Sequence, residues 1–362
     1  MSMNTDATKA AGPAGPAPAG RDGAPAAAPS AGVLDRVLKV RELAIAAVLV
    51  LMLLATQLDN SAFLSEQGVK DLLLNATILV LVASGQAMVV ITRNVDLSVG
   101  STLGITAFAA GEFLRSGGNP LLAVLIAVAL GAGFGVVNGL LVSLGQVPAL
   151  VVTLGTLYII RGLDSIWFGS RQITAADLPS GFVGFGHNGL GAVPYLALLT
   201  AAVLVVAAYY LRSYRSGRDL YALGSSPEAA RLAGVPVRRR IMAAYVVCGA
   251  LAGLAGALYL ARFGNVDSGT GNGYELTVVS AVVVGGVAFT GGSGSLYGAA
   301  LGALLLTSIN SVLPSIGVSS VWVQAIDGVL LLLAIAVDRL VALRVAAMLR
   351  KRAALTRSAH HG

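Results

Sequence analysis

Charge is scarce in this chain. Of its 362 residues, 11% are Asp, Glu, Lys or Arg and 56% are hydrophobic, with a mean hydropathy of +0.82, whereas a soluble domain carries about a quarter charged residues. That shortage excludes a water-soluble globule. Cysteine is nearly absent: the single Cys248 excludes an intrachain disulfide or a thiolate metal site. The three histidines, His187, His360 and His361, form no H-E-x-x-H pattern, which removes the zinc-protease class. No G-x-x-x-x-G-K-[ST] phosphate loop occurs, and no stretch between apolar runs has room for a nucleotide-binding domain. ATP-driven work by this chain therefore needs an ATPase on another polypeptide, and high-affinity capture of a solute outside the membrane needs another protein too.

What the chain has instead is apolar length. Runs suited to crossing about 30 Å of hydrocarbon lie at 43–58, 72–92, 98–114, 121–143, 147–168, 193–211, 241–261, 275–290, 295–313 and 320–338, which predicts an all-α polytopic membrane protein of about ten spans embedded in the lipid bilayer. Of 24 Lys and Arg, five lie in the N-terminal tail, one is Arg93, seven lie in 212–240 and six lie from Arg339 onward. With ten spans these four places share one side, and basic loops are retained in the cytoplasm, so both termini and the 212–240 segment are expected there. Positive charge thus serves topology, and nucleic acid is not an expected partner. Residues 1–38 are Ala/Gly/Pro-rich and expected to be a disordered cytoplasmic tail rather than a signal peptide. Residues 39–340 form the transmembrane domain, and 341–362 a basic cytoplasmic tail.

The 212–240 segment, RSYRSGRDLYALGSSPEAARLAGVPVRRR, carries the signals of one short helix. Ser226 suits the N-cap, Pro227 the first helical position and Glu228 the positive end of the dipole, while Gly234 and Pro236 supply the stop. So short a helix is unstable alone in water and must pack on something, which makes it a candidate docking element. An ordinary juxtamembrane connector is the other reading.

Two polar insertions interrupt the apolar pattern. In RNVDLSVGS at 93–101, Asp96 lies beside hydrocarbon, where a carboxylate needs a partner, water or neutralisation. Either Asp96 or Ser98 caps the third span, or the segment is a broken helix facing a solute path. GGVAFTGGSGSLYG at 285–298 is a glycine-broken echo of it in the second half. The small-residue runs GAGFGVVNG at 131–139 and GALAGLAGA at 249–257 read as close helix contacts. Arg161 and Asp164, three apart, are expected to pair. Glu275 fits the first turn of a span, Asp327 is a further polar position within a span, and Asn138 and Thr153 suit either interhelical bonding or a solute path. Cys248 reads as a packing residue.

RNVDLSVGSTLG, NGLLVSLGQVPALVVTLGTLYIIRG at 138–162, GRDLYALGSSPEAARLAGVPV at 217–237 and GYELTVVSAVVVGGVAFTGGSGSLYGAALGALLL at 273–306 together resemble, in order, the permease subunits of bacterial ABC sugar importers. The likeness covers roughly residues 40 to 340 and is nearest to the ribose/xylose/arabinose/galactose class, with its rhamnose and autoinducer-2 branch. It implies an inner-membrane subunit, not an enzyme, that moves a monosaccharide by alternating access. It implies as partners an ABC ATPase, a periplasmic or lipid-anchored sugar-binding protein and a second permease copy or homologue. No cofactor is expected on this chain; ATP and Mg belong to the ATPase. The family's coupling helix maps onto EAARLAG, so Asp219, Gly224, Pro227, Glu228, Ala229, Ala230, Arg231 and Gly234 are the expected coupling residues. The translocation path is expected to involve Asn94, Asp96, Ser98, Gly100, Ser101, Asn138, Thr153, Glu275, Gly285, Gly286, Gly291 and Gly292. RNVDLSVGS departs from the many relatives that carry a glycine before the Asp, which leaves subgroup and substrate open. The competing reading is a self-sufficient ion-coupled secondary carrier; it is disfavoured because the acidic residues cluster at span ends.

Overall fold

The computed structural model describes residues 31–343 except 170, 316, 320, 321, 323, 324, 337, 338, 341 and 342, with residues 31–40 and 315 described by backbone only. Of the tail expected at 1–38, residues 1–30 lie outside the described residues, as does the basic tail expected at 341–362 apart from residue 343. A helix stands at each of the ten expected spans: α1 (Ala31–Asp59), α2 (Glu66–Ile91), α3 (Val99–Arg115), α4 (Pro120–Ser143), α5 (Ala149–Phe168), α7 (Tyr195–Ser213), α10 (Val237–Phe263), α11 (Tyr274–Val284), α12 (Leu296–Ser315) and α13 (Ala325–Ala336). Three non-spanning helices join them: α6 (Ser180–His187), α8 (Arg215–Ser225) and α9 (Pro227–Leu232). A two-residue hairpin pairs Gly189–Leu190 with Val193–Pro194. Seven of the ten are long and apolar enough to cross a membrane, whereas α3, α11 and α13 are shorter than the ~20 residues a crossing needs. The molecule is an all-α membrane protein with broken segments.

The described part of α1 begins at Ala31. One boundary differs from expectation. α11 stops at Val284 rather than continuing to 290, since Gly286, Gly291, Gly292 and Gly294 all take positive φ, a backbone that ends helices.

α2 is the hub. In its most apolar stretch 94% of residues are buried, against 11% for α1, and α7, α10, α11 and α12 pack around it. Its core packs Leu74, Ile78, Leu81, Ile91, Tyr245, Val278 and Leu306. α10 lies along α4 on the small residues predicted for close contact: a Cβ on Gly131 would sit 2.2 Å from the Gly249 carbonyl oxygen, one on Gly249 2.2 Å from that of Gly131, and one on Gly253 2.2 Å from that of Ala127. Backbones meet this closely only without side chains between them, the usual basis of helix association in lipid. The outward faces of α1, α4, α5 and α7 carry exposed apolar side chains such as Leu51, Leu121, Ile159 and Val206, as lipid contact requires.

Candidate functional site

The surface hairpin of α8 and α9 is built as the sequence implied, with an additional helix. α8 is amphipathic: Gly217, Asp219, Leu220, Leu223 and Gly224 are buried at helical spacing, facing the bundle. Asp219 is fixed there by Arg240 at the start of α10, with the two guanidinium nitrogens 2.8 and 2.9 Å from its Oδ2. Ser226 caps α9, its Oγ accepting from the Ala229 N–H at 3.4 Å, with Pro227 in the first turn. At the other end Gly234 (φ 79°) closes the helix: its N–H donates to Arg231 O, and that of Val235 to Ala230 O. These are the paired bonds of a Schellman stop, which the left-handed glycine permits. Ala230 is buried, while Glu228, Ala229 and Arg231 are exposed. Leu232 is 86% exposed, an apolar side chain at the tip of a polar hairpin that composition alone did not single out.

The end of α8 is wedged against both glycine-broken loops. A Cβ on Gly224 would lie 1.8 Å from the Ile91 carbonyl oxygen and 2.4 Å from Gly292 N, so only glycine fits. Gly292 N–H donates to Ile91 O at 2.9 Å. Its neighbour Gly291 lies so close to Arg93 that a Cβ would come within 2.4 Å of the Arg93 Cγ. Arg93, one of two non-glycine residues at positive φ among the described residues (65°), extends its guanidinium over the end of α8: Nη2 donates to Ser225 O at 2.7 Å and Nε to Gly224 O. These are carbonyls at the negative end of a helix dipole, where a cation is favoured. The Tyr221 hydroxyl, its pKa pushed up to about 12 by burial and hence protonated, donates to Gly294 O at 3.2 Å. The glycine loop is also gripped by α1, with Arg41 donating to Val283 O at 2.8 Å and Ser295 donating to Glu42. Gly285 packs on Gly298 across the α11–α12 turn, and Gly286 lies beside Arg41. The two insertions, far apart in sequence, thus meet beneath one surface hairpin.

From Arg93 the chain enters the bundle as a non-helical segment held by a buried polar knot. Asn94 folds back, its amide donating to Thr92 O and Oγ1 at 3.0 Å. Asp96 is buried, and its Oδ1 accepts from Ser98 N–H at 2.9 Å and from Ser98 Oγ–H at 2.6 Å. That is an Asx turn leading into α3, whose N-cap Ser98 has no side-chain cap bond of its own. Asn138 of α4 donates to Ser98 Oγ at 2.8 Å and to both Asp96 carboxylate oxygens at 3.3 and 3.4 Å. Thr153 of α5 and Tyr245 of α10 both donate to Val95 O, at 3.3 and 3.2 Å. Gln86 of α2, its amide oriented to match the backbone, donates to Asp96 O at 3.1 Å and accepts from Asp96 N–H at 3.2 Å. Ser101 donates to Ser98 O. Gln86 and Tyr245 looked like ordinary residues of apolar spans, and only the tertiary contact reveals their role.

Gly100 and Glu275 belong to a different junction. A Cβ on Gly100 would lie 2.4 Å from Glu275 Oε2 and 2.5 Å from Gly271 O, so the first turn of α3 abuts the first turn of α11. Glu275 is in that first turn, but the N-cap position is Gly273 (φ 78°), and the buried Oε2 accepts no hydrogen bond from the described residues. Nearby, Arg161 Nη1 donates to Thr270 O at 2.8 Å and lies 3.8 Å from Asp164 Oδ2, giving the expected pairing a longer ion contact and a second partner. Asp327 of α13 accepts from Thr277 of α11 at 3.1 Å. Among the described residues no cluster of His, Cys, Asp or Glu is arranged to hold a metal.

The described residues thus form a bundle of broken membrane helices tied to a surface hairpin. The family described as "Branched-chain amino acid transport system / permease component" matches residues 68–335, and the chain belongs to it. Similar proteins include the Autoinducer 2 import system permease protein LsrC of Enterobacter sp. (strain 638), 39% identical over 306 residues, 84% of this chain and 88% of that one. The Ribose import permease protein RbsC of Escherichia coli (strain K12) is 35% identical over 295 residues, 81% of this chain and 91% of that one. LsrC of Klebsiella pneumoniae subsp. pneumoniae is 37% identical over 305 residues, covering 84% and 88%. No solved structure matches.

Proposed function

We propose that this chain is the translocation subunit of an ABC importer for a small sugar or sugar-like solute, driven by a separate ATPase that docks on α9. The observation that carries this reading is the wedge at Gly224: the exposed hairpin, with Leu232 at its tip, bears directly on Arg93 and Gly292. ATPase closure pushes α9, α8 shifts the two glycine loops, and the 94–98 segment and α11 rearrange across the membrane. In this scheme Asp219, Gly224, Pro227, Glu228, Ala229, Ala230, Arg231 and Gly234 shape and present the dock. Asn94, Asp96, Ser98, Ser101, Asn138 and Thr153 hold the moving segment. Gly100, Glu275, Gly285, Gly286, Gly291 and Gly292 form the pivots where broken helices meet. The expected path residues are therefore the hinge of the path in this conformation.

The clustering of basic residues in 212–240 and near both ends supports a hairpin and termini on the cytoplasmic face of a bacterial inner membrane. A periplasmic or lipid-anchored binding protein delivers solute to the opposite face, and a second permease copy or homologue completes the pathway. The family description speaks of amino acids, but the similar proteins named above import ribose and autoinducer 2 at 35–39% identity, which supports a sugar-like solute. The test is co-purification with the ATPase. Leu232→Asp places a charge at the dock without touching the bundle, so it is expected to abolish ATPase association while the chain still inserts; unchanged association would reject the docking assignment.

A further inference from the structure

At the end of the bundle away from the hairpin, a cavity of about 290 Å³ lies between α2, α10, α11 and α12. Its position follows from the helices that bound it. Phe263 ends α10, whose first residue Val237 follows α9, and Asn310 and Ser311 stand near the end of α12 opposite Leu296. Within spans that are otherwise apolar, its lining includes Asn75, Tyr259, Tyr274, Thr307, Asn310 and Ser311. The buried Asn310 Oδ1 accepts no hydrogen bond from the described residues. Polar groups facing one another in a membrane bundle ordinarily bond across it, because stranding them is costly; here they converge on open space. The volume is at the lower end of the range for small-molecule sites.

The lining chemistry selects the occupant. Amides and hydroxyls offer donors and acceptors to hydroxyl groups, and the Tyr259–Phe263 pair, ring centroids 4.5 Å apart, supplies an aromatic wall for C–H faces. Among the described residues the lining holds no charged side chain, and the Asp327 carboxylate behind it accepts from the lining Thr277 hydroxyl at 3.1 Å. We infer that this cavity is an acceptor site for a neutral polyhydroxylated solute entering from the face opposite the ATPase, and that Asn310, Thr307 and Tyr274 contact it. The inference rests on the importer reading above and narrows its solute class against amino acids.

The experiment uses the permease reconstituted with its ATPase and binding protein, carrying Ser311→Cys in a Cys248→Ala background. First, uptake of D-ribose, D-xylose, L-arabinose and L-rhamnose identifies the transported sugar. Labelling of the new thiol by a membrane-impermeant methanethiosulfonate is then followed with that sugar or with L-leucine present. The expected result is labelling that the sugar slows about fivefold at about four times its Kd, with no slowing by L-leucine and loss of protection in Asn310→Leu. Failure of the thiol to react, labelling indifferent to the sugar, or protection by L-leucine alone would each overturn the assignment. Absence of ATP-dependent uptake for every sugar would instead reject the sugar-importer reading itself.

Discussion

Asp96 and Arg93 are charged residues three apart on the same segment, and they do different things. Asp96 is buried, and its carboxylate ties Ser98 and Asn138 into one polar knot. Its polar surroundings, not its charge alone, explain its presence in the bundle. Asp96→Asn keeps an oxygen for the Ser98 N–H, so uptake is expected to stay within about twofold of the parent, whereas Asp96→Ala strands donors at roughly 1–3 kcal/mol each. Thermal melting of the purified chain separates the two variants: the alanine form melts markedly lower and the asparagine form nearly as the parent. Arg93 is held at φ 65° with its side chain on the end of α8. Arg93→Gly suits that backbone and removes the strut, so assembly with the ATPase is expected to persist while solute moved per ATP falls severalfold. Arg93→Lys restores part of it. Equal transport stoichiometry in all three forms would show that the strut transmits nothing.

At the scale of elements, the hairpin was the most legible part because its signals are local. Ser226, Pro227 and Gly234 occupy the cap, first-turn and stop positions that their chemistry suggested. Gly234→Ala forces a side chain into left-handed backbone at about 1–2 kcal/mol, and loosened docking, read as a lower affinity for the ATPase, is the expected outcome. The ten helices were likewise readable from apolar length. α8 was not, since its buried face mixes Gly217, Asp219 and Gly224 with two leucines, and its helical period is visible only once a bundle lies beneath it. The early end of α11 was missed because glycine abundance in this chain blurs the difference between packing glycines, such as Gly249, and turn glycines, such as Gly291. The φ values separate them, and sequence does not. Gly224→Ala tests the wedge: with the Ile91 carbonyl in the way, poor accumulation or loss of coupling is expected, and parental behaviour on both counts would mean the contact is not tight.

At the scale of the molecule, a hub helix, two discontinuous helix pairs and one exposed hairpin form a single connected device. The two halves of α2 reach different parts of the molecule: Ile91 touches Gly292 and Gly224 beneath the hairpin, and Asn75 lines the cavity at the far end. The sequence offered the Gly292 loop as an echo of the Arg93 loop in the opposite half, but that the two touch each other and the end of α8 was not legible there. The central claim is that an external ATPase drives solute through this bundle by way of the hairpin. Its most direct measurement is uptake of labelled sugar into proteoliposomes with the ATPase, the binding protein or ATP omitted in turn. The account predicts uptake only when all are present, and its loss with Leu232→Asp. Uptake by this chain alone under a proton or sodium gradient would contradict it.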